Sequence, residues 1–255
     1  MLKGFLPSSC GICALMFVMQ PAGAGTATTG MPLKARGVGV ELYTQNQDVK
    51  ITDIVIKNPM VAALLPANAK DLVTINNDLK MVGAKLDYQV NPHLTVFGGI
   101  SHVTGESTAN LSALPGLGLS DLVFDADGTL YNAGATVAKQ QGRYFGALTY
   151  IYTRADGDAG IKDGAVNTLI PSVGVLTDVG AFNAGLIYQQ ADVDYAGTLV
   201  LPGLGEVETE VRGETADTLA YRVGYQTQVG RDLYLDASAG FGGWEDARLE
   251  LNQRF

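Results

Sequence analysis

The chain has 255 residues, 32 of them glycine, and a formal net charge of −9. This length fits one large all-β domain or two small ones. The acidic balance argues against nucleic-acid binding, which requires a basic surface. Hydrophobic residues make up 47% of the chain. That share neither predicts nor excludes a membrane protein, because a strand that crosses a membrane alternates apolar and polar residues.

The N-terminal segment has the composition of a secretory signal. Lys3 supplies a positive charge, Cys10–Met19 is apolar, and Ala22-Gly23-Ala24 is a small-residue cleavage site. The apolar run is shorter than the roughly 20 residues of a transmembrane helix, which disfavours a retained anchor. We therefore predict a signal peptide at 1–24. Both cysteines lie within it, so the mature chain would form no disulfide and no thiolate metal site.

After residue 34 the dominant pattern has a period of two, which is typical of β-strands. Between residues 80 and 90, for example, Val82, Leu86 and Tyr88 alternate with Lys85 and Asp87. The same alternation recurs ten times. We predict strands at 35–45, 78–91, 93–104, 129–141, 143–155, 165–177, 181–195, 214–228, 232–243 and 246–255.

The connections between these strands alternate in length. Tight turns are predicted at 91–92, 141–142, 178–180 and 229–231. Long polar connections are predicted at 46–77, 105–128, 156–164 and 196–213, and a short last one lies near Trp244. Short turns on one side and long loops on the other are expected of an outer-membrane barrel. Residues 58–77 form either a short helix in the first outer loop or a packed loop apex.

The last strand places Leu249, Leu251 and Phe255 on one face and Arg248 and Glu250 on the other. In this feature the chain resembles small Gram-negative outer-membrane β-barrels, whose last strand typically ends in an aromatic residue. The resemblance implies that Leu249, Leu251 and Phe255 belong to the signal read by the barrel-assembly machinery.

These observations together predict an all-β fold, a transmembrane antiparallel up-and-down β-barrel of about ten strands at 35–255, after a linker at 25–34. Its location would be the cell outer membrane, where it contacts lipid and lipopolysaccharide. Exposed aromatic residues would form girdles at the membrane interfaces. They are Tyr144, Tyr150, Tyr152, Tyr188, Tyr221, Tyr225 and Phe241.

The alternation also predicts which charged residues line the lumen. They are Glu41, Lys85, Asp87, Arg222, Asp236, Arg248 and Glu250. A ten-stranded barrel is only slightly wider than an eight-stranded one, whose interior is filled by side chains. Charges in such an interior must be paired or hydrated. They either close the lumen as a network or line a narrow polar passage.

One segment, residues 122–130 (Leu-Val-Phe-Asp-Ala-Asp-Gly-Thr-Leu), resembles the first motif of haloacid-dehalogenase-type phosphotransferases. The resemblance would make Asp125 the nucleophile and Asp127 a general acid/base, with Mg²⁺ bound. That family requires a parallel α/β sheet, whereas the flanks here are alternating strands. The same carboxylates allow weak divalent-cation binding, but solvated loop residues are the simpler interpretation. We predict no metal site and no cofactor.

Two further features bear on function. His102 lies near Ser101, Thr104 and Glu106, but the alternation places it on the lipid face, so we predict no catalytic residue. The sequence Leu-Pro-Gly-Leu-Gly occurs at 114–118 and again at 201–205, where it suits the tips of two outer loops.

The sequence therefore predicts a non-enzymatic barrel with a structural or surface-interaction role through its outer loops. The alternatives are a narrow passive channel for small solutes and, less favoured, a barrel hydrolase.

Overall fold

The computed structural model describes residues 35–63, 66, 68–114, 121–156, 161–201 and 205–255. The predicted signal peptide and linker lie outside these residues, as do the central parts of both Leu-Pro-Gly-Leu-Gly segments. The described chain forms one antiparallel sheet of eleven strands. They are β1 (Arg36–Ile56), β2 (Thr74–Asn91), β3 (Leu94–Ala109), β4 (Leu122–Gln141), β5 (Tyr144–Asp156), β6 (Ile161–Thr177), β7 (Gly180–Leu201), β8 (Gly205–Thr215), β9 (Leu219–Gly230), β10 (Leu233–Gly242) and β11 (Glu245–Arg254).

In the part of the chain that the structure describes, helical structure is confined to the outer loops. The first loop contains α1 (Pro59–Ala62) and α2 (Ala69–Leu72), and a 3-10 turn at Leu111–Ala113 follows β3. A helix was one of the two predictions for the first loop, and it is confirmed as two short ones. Within the described residues, no helix has the length and apolar character needed to cross a membrane.

Ten of the strands close into a barrel. Each of β1 to β7 pairs with its neighbours in sequence, β7 pairs with β9, and β9, β10 and β11 follow in order. The ring is completed by antiparallel pairing of β1 with β11. The predicted up-and-down barrel of about ten strands is therefore confirmed. The tight turns lie at the same end of the barrel as the start of β1 and the end of β11, and the longer connections lie at the other end.

The eleventh strand, β8, corrects the predicted polar loop at 196–213. Residues 205–214 pair with β7, and residues 209–215 pair with β1. β8 and β9 run in the same direction and are separated only by residues 216–218. The predicted strand at 214–228 is thus broken at that point. At the outer end the wall consists of β1 to β8, whereas lower down the hairpin β10–β11 is inserted between β9 and β1.

The strands continue well beyond the membrane. β1 has 21 residues and β7 has 22, about twice the 9–11 that a tilted transmembrane strand requires. The predicted loops at 46–77 and 105–128 are correspondingly shorter, because β1 extends to Ile56 and β3 to Ala109. We call this outer extension of β1 to β8 the crown.

The pattern of polarity reverses where the crown begins. In the lower part of β1, Val40 and Leu42 face outward and Glu41 faces inward. Further along the same strand, Asp48 faces outward and Val49 is buried. The strand therefore presents apolar residues to lipid below and apolar residues to its own interior above.

The described residues form two apolar clusters in the interior. The larger fills the crown and includes residues from β1, β2, β3, β4, β6 and β7, and Ala69 of α2 packs at its outer end. The smaller comprises Phe97, Ile151, Ile170, Ile187, Ala220 and Trp244. Trp244, in the turn between β10 and β11, is only 3% exposed, so this turn places its indole inside the barrel.

Aromatic residues mark two levels on the outer surface. On β5, Tyr144 and Tyr152 are both exposed and lie about 26 Å apart along the strand at 3.3 Å per residue. Two aromatic pairs add to this outer surface: Phe182 and Tyr225 have ring centroids 4.7 Å apart, and Tyr221 stacks on Phe241. Because strands of such barrels tilt by roughly 35–45°, the separation of Tyr144 and Tyr152 corresponds to about 20 Å along the membrane normal, which is close to the height of the apolar band between the two interfaces.

Candidate functional site

The seven charged residues that the alternation assigns to the lumen all have buried side chains. The most exposed of them is Arg222, at 8%. They come from five strands: Glu41 from β1, Lys85 and Asp87 from β2, Arg222 from β9, Asp236 from β10, and Arg248 and Glu250 from β11. The inward positions of strands distant in sequence thus converge on one side of the barrel.

Arg248 is the centre of this ion network. Its Nε donates a hydrogen bond of 3.2 Å to Glu41 Oε2, and its Nη1 lies 3.7 Å from Asp236 Oδ1. The same guanidinium contacts the Glu250 carboxylate. Glu41 and Glu250 are directly opposite each other in the β1–β11 pairing, where like charges would repel. Arg248 relieves that repulsion by binding both.

Lys85 completes the centre of the network from β2. Its Nζ lies 2.6 Å from Glu250 Oε1 and 6.0 Å from the centroid of the Phe97 ring. Since both Lys85 and Glu250 are almost fully buried, this pair is little screened by solvent or salt. Removal of Lys85 alone would leave a further uncompensated negative charge inside the barrel.

Three further residues of β11 belong to the network and were missing from the predicted set. Arg254 pairs with Asp87, and Asn252 Nδ2 donates to Asp87 Oδ2 at 3.0 Å. Nearer the crown, Asp246 accepts a hydrogen bond of 3.1 Å from Arg222. Their inward positions follow from the same alternation that identifies Arg248 and Glu250, so the signal was present in the sequence.

Asp246 also joins the network to the smaller apolar cluster. The indole Nε1 of Trp244 donates to Asp246 Oδ2 at 3.2 Å. Burial of an indole normally requires a partner for its N–H group. The hydrogen bond therefore fixes the orientation of the ring that the turn places inside the barrel.

The charges inside the barrel are close to balance. In the part of the chain that the structure describes, five buried carboxylates face four buried cations: Glu41, Asp87, Asp236, Asp246 and Glu250 against Lys85, Arg222, Arg248 and Arg254. A pore that selects ions of one sign is normally lined by a ring of side chains that carry the opposite charge. The mixed interior has the composition of a paired network instead.

Glycines provide the space for the long side chains. A Cβ atom at Gly39 would lie 2.8 Å from Glu250 Oε1, and one at Gly37 would lie 2.6 Å from Asp87 Oδ2. Any larger residue at these two inward positions of β1 would displace the network. Part of the high glycine content is therefore explained by the packing of the ion pairs.

The other candidate groups lie outside this network. His102 is on the outer face, where its Nε2 is 3.5 Å from Asp127 Oδ2, and both side chains are more than half exposed. Ser101, the adjacent hydroxyl, is buried on the opposite face and does not share a surface with His102. The phosphotransferase-like segment 122–130 lies in β4, antiparallel to both neighbours, so the resemblance to a parallel-sheet active site is wrong.

Among the described residues, no group of three or more His, Cys, Asp or Glu side chains is placed to hold a metal ion. The three residues of the predicted assembly signal, Leu249, Leu251 and Phe255, are all exposed on the outer face.

No protein-family model matches the chain, and no curated protein matches its sequence. Among solved structures, the chain is similar to the outer membrane protease OmpT from Escherichia coli, with 8% identity, a TM-score of 0.47, and coverage of 92% of this chain and 99% of that chain. It is also similar to the toluene transporter TbuX from Ralstonia pickettii, with 12% identity, a TM-score of 0.37, and coverage of 91% and 92%.

A third similar structure is the translocator domain of the autotransporter NalP from Neisseria meningitidis, with 12% identity, a TM-score of 0.42, and coverage of 87% and 88%.

The class of the protein follows from its own geometry. A closed antiparallel barrel has no free sheet edge and can therefore cross the hydrocarbon layer with its strands. Its lower part presents aliphatic residues outward between two aromatic levels. The chain is an integral β-barrel of the cell outer membrane, of the Gram-negative type.

Proposed function

We propose that this protein is a closed, non-conducting barrel that acts through its crown, either as a structural component of the envelope or as a surface for interaction. The observation that carries the proposal is the filled interior. Lipid and lipopolysaccharide would contact the apolar lower wall, and the assembly machinery would read Leu249, Leu251 and Phe255.

The two halves of the interior are filled in different ways. In the lower half, Lys85 and Arg248 each lie within ion-pair distance of Glu250, and the three side chains occupy one side of the lumen. In the crown, the larger apolar cluster occupies the interior, and three of its residues, Leu79, Val103 and Leu130, are at most 1% exposed. An ion crossing the barrel would have to pass either the paired charges or the smaller apolar cluster, and then the apolar core of the crown.

The crown is a preformed surface, since hydrogen-bonded strands support it. Its closing pair, β1 and β8, has ion pairs on the outer face: Lys50 Nζ lies 3.3 Å from Glu214, and Lys57 Nζ lies 3.0 Å from Glu208 and 3.6 Å from Glu210. Exposed pairs of this kind contribute little stability individually. Their value to the proposal is that a rigid surface loses little conformational entropy when it binds a partner.

A narrow water-filled passage is the second candidate, and a specific observation favours it. On the side of the barrel away from the ion network, the side-chain oxygens of Thr153, Thr168 and Ser172 are buried without a hydrogen-bond partner among the described residues, and so are both polar atoms of Gln189. Buried polar groups normally have a protein or water partner. A file of water along β5, β6 and β7 would satisfy them.

The measurement that separates the two candidates is the conductance of the refolded protein in a planar lipid bilayer. We expect no steady conductance from the natural chain. The test variant combines Arg248→Ala with Glu41→Ala and would remove interior volume from the network, so it should conduct. Its matched control, Val40→Ala, would remove volume only from the lipid face. Neither the natural chain nor Val40→Ala should conduct.

Steady conductance of the natural chain would contradict the closed-barrel proposal. If that conductance also changed its ion selectivity in Lys85→Met, the passage would lie along the network and the protein would be a channel.

A further inference from the structure

The seam is the pairing of β1 with β11, which joins the first strand of the barrel to the last. Its register runs from Gly37 opposite Arg254 to Asn46 opposite Glu245. A shift of one residue would turn every side chain to the wrong face, but a shift of two would preserve the alternation. Val38, Val40 and Leu42 on one strand and Leu249 and Leu251 on the other are all aliphatic. The lipid-facing pattern therefore does not distinguish registers that differ by two residues.

The interior does distinguish them. Lys85 pairs with Glu250, and Arg254 pairs with Asp87. Both contacts join β11 to β2, although β1 lies between these strands in the sheet. The side chains meet above β1 because its inward positions there are Gly37 and Gly39, where even a Cβ atom would lie within 3 Å of a network atom.

A two-residue shift would destroy this arrangement. It moves β11 by roughly 7 Å along β2, which in either direction takes Arg254 out of the row that it shares with Gly37 and Asp87. In one of the two shifted registers, Glu250 would face Tyr43 and Arg254 would face Gly39, which brings Arg254 level with Lys85, a like charge. In the other, Glu250 would stay beside Lys85, but Arg254 would move past Gly37 and away from Asp87. Breaking a buried ion pair is strongly unfavourable, whereas the backbone ladder is equally complete in each register.

We infer that the pairs Lys85–Glu250 and Arg254–Asp87, which meet over Gly37 and Gly39, form a register lock: they select the single strand pairing in which the barrel closes. This role is independent of whether the barrel conducts. It assigns the most heavily charged part of the interior to correct closure of the chain on itself.

Cysteine cross-linking across the seam tests the lock. In a chain carrying Cys10→Ser and Cys13→Ser, Val40→Cys is combined with Leu251→Cys for the observed register, or with Leu249→Cys or Gln253→Cys for the two shifted registers. With the lock intact, oxidation in the outer membrane should favour the first pair by more than about tenfold, because a shifted strand would leave buried charges unpaired.

The decisive variant neutralises the lock with side chains of similar volume: Lys85→Met, Glu250→Gln, Asp87→Asn and Arg254→Met. We expect the preference for the observed register to fall below about threefold, because charges no longer penalise a shift. Lys57→Met, which removes an ion pair of the crown, is the matched control and should leave the preference unchanged.

A charge exchange keeps the inference falsifiable if the neutral variant folds poorly. In the Lys85→Met, Glu250→Gln background, Asp87→Arg with Arg254→Asp restores an ion pair across Gly37 only in the observed register, and so should restore its cross-link. The lock is overturned if the neutral variant keeps the full preference. It is also overturned if the exchanged variant gives no more of the observed cross-link than the neutral one does.

Discussion

At the scale of single residues, two glycines lie beneath aromatic rings in the barrel wall. Phe97 is directly opposite Gly134, and Phe145 is directly opposite Gly174. A Cβ atom at Gly174 would lie 2.2 Å from Phe145 Cζ and 2.4 Å from the backbone oxygen of Phe182. The backbone atom has no freedom to move away, so the ring can cover the strand only where the side chain is absent.

We therefore predict that Gly174→Ala destabilises the folded barrel by roughly 1–3 kcal/mol, the usual cost of overpacking. Gly146→Ala is the matched control, because a Cβ atom there has no neighbour closer than 3.9 Å and should change stability by less than about 0.5 kcal/mol. Denaturant unfolding in lipid vesicles measures both. Equal effects at the two positions would contradict the packing argument.

Asp121 shows a second effect at the residue scale, in the connection between β3 and β4. Its Oδ1 accepts a hydrogen bond of 3.0 Å from the backbone N–H of Ser112. Hydrogen bonds from the Ser112 side chain and backbone hold the pKa of Asp121 below its usual value of 3.8. A lowered pKa in the folded state means that the contact stabilises this connection above the ordinary carboxyl pKa and is lost as pH falls through the lowered one.

The prediction is that Ser112→Ala raises the pKa of Asp121 toward 3.8, measured by NMR titration of the carboxyl carbon. In the natural chain, the backbone amide of Ser112 should lose its protection against hydrogen exchange only when the pH falls below the usual carboxyl pKa of 3.8. The Asp121→Asn variant, which accepts a weaker hydrogen bond and does not titrate there, should show no such pH dependence. A pKa for Asp121 unaffected by Ser112→Ala would refute the assignment.

At the scale of strands, only the lower part of β2 can be predicted from the sequence. Its lower part alternates Leu86 and Val82, facing lipid, with Lys85 facing inward, and this part was predicted. Above Lys80 the outward positions become polar, as at Asp78, while Leu79 and Ile75 turn inward. The sequence predicts a strand only as far as its outward residues are apolar, so the prediction ends at this reversal. The hydrogen-bonded pairing of β2 nevertheless continues to Thr74.

The same reasoning explains why the sequence predicts a polar loop where the structure has β8. Its sequence alternates Glu with Val and Thr from Glu206 to Val211, a period-two pattern without a lipid-facing apolar row. Recognition of a strand that lies wholly in the crown requires knowing that its apolar side faces the interior. That information resides in β1 and β7, which are close to β8 in space and partly distant in sequence.

The hairpin β10–β11 supplies most of the ion network, and its inward residues were predictable from alternation alone. The identity of their partners was not. Arg248 reaches Glu41 across a separation of 207 residues, and Asn252 reaches Asp87 across 165. Such pairings depend on barrel closure and on the order of strands around the ring, which no local pattern encodes.

At the scale of the whole molecule, the filled interior has a built-in reporter. Trp244 is the only tryptophan of the chain, and its side chain lies inside the barrel, in the same apolar cluster as Phe97 and Ile187. Tryptophans of outer-membrane barrels are more usually found in the girdles at the membrane surface. An indole in the interior is shielded from lipid by the wall and from water by the packing around it.

We predict that Trp244 in the folded protein fluoresces at short wavelength and is poorly quenched both by acrylamide in water and by brominated lipid. Trp244→Phe combined with Tyr221→Trp moves the reporter to the outer surface, where brominated lipid should quench it strongly. Strong acrylamide quenching of Trp244 would indicate a water-filled lumen, because solute could then reach the ring from inside. That result would favour the channel over the closed barrel, and it would do so without a conductance measurement.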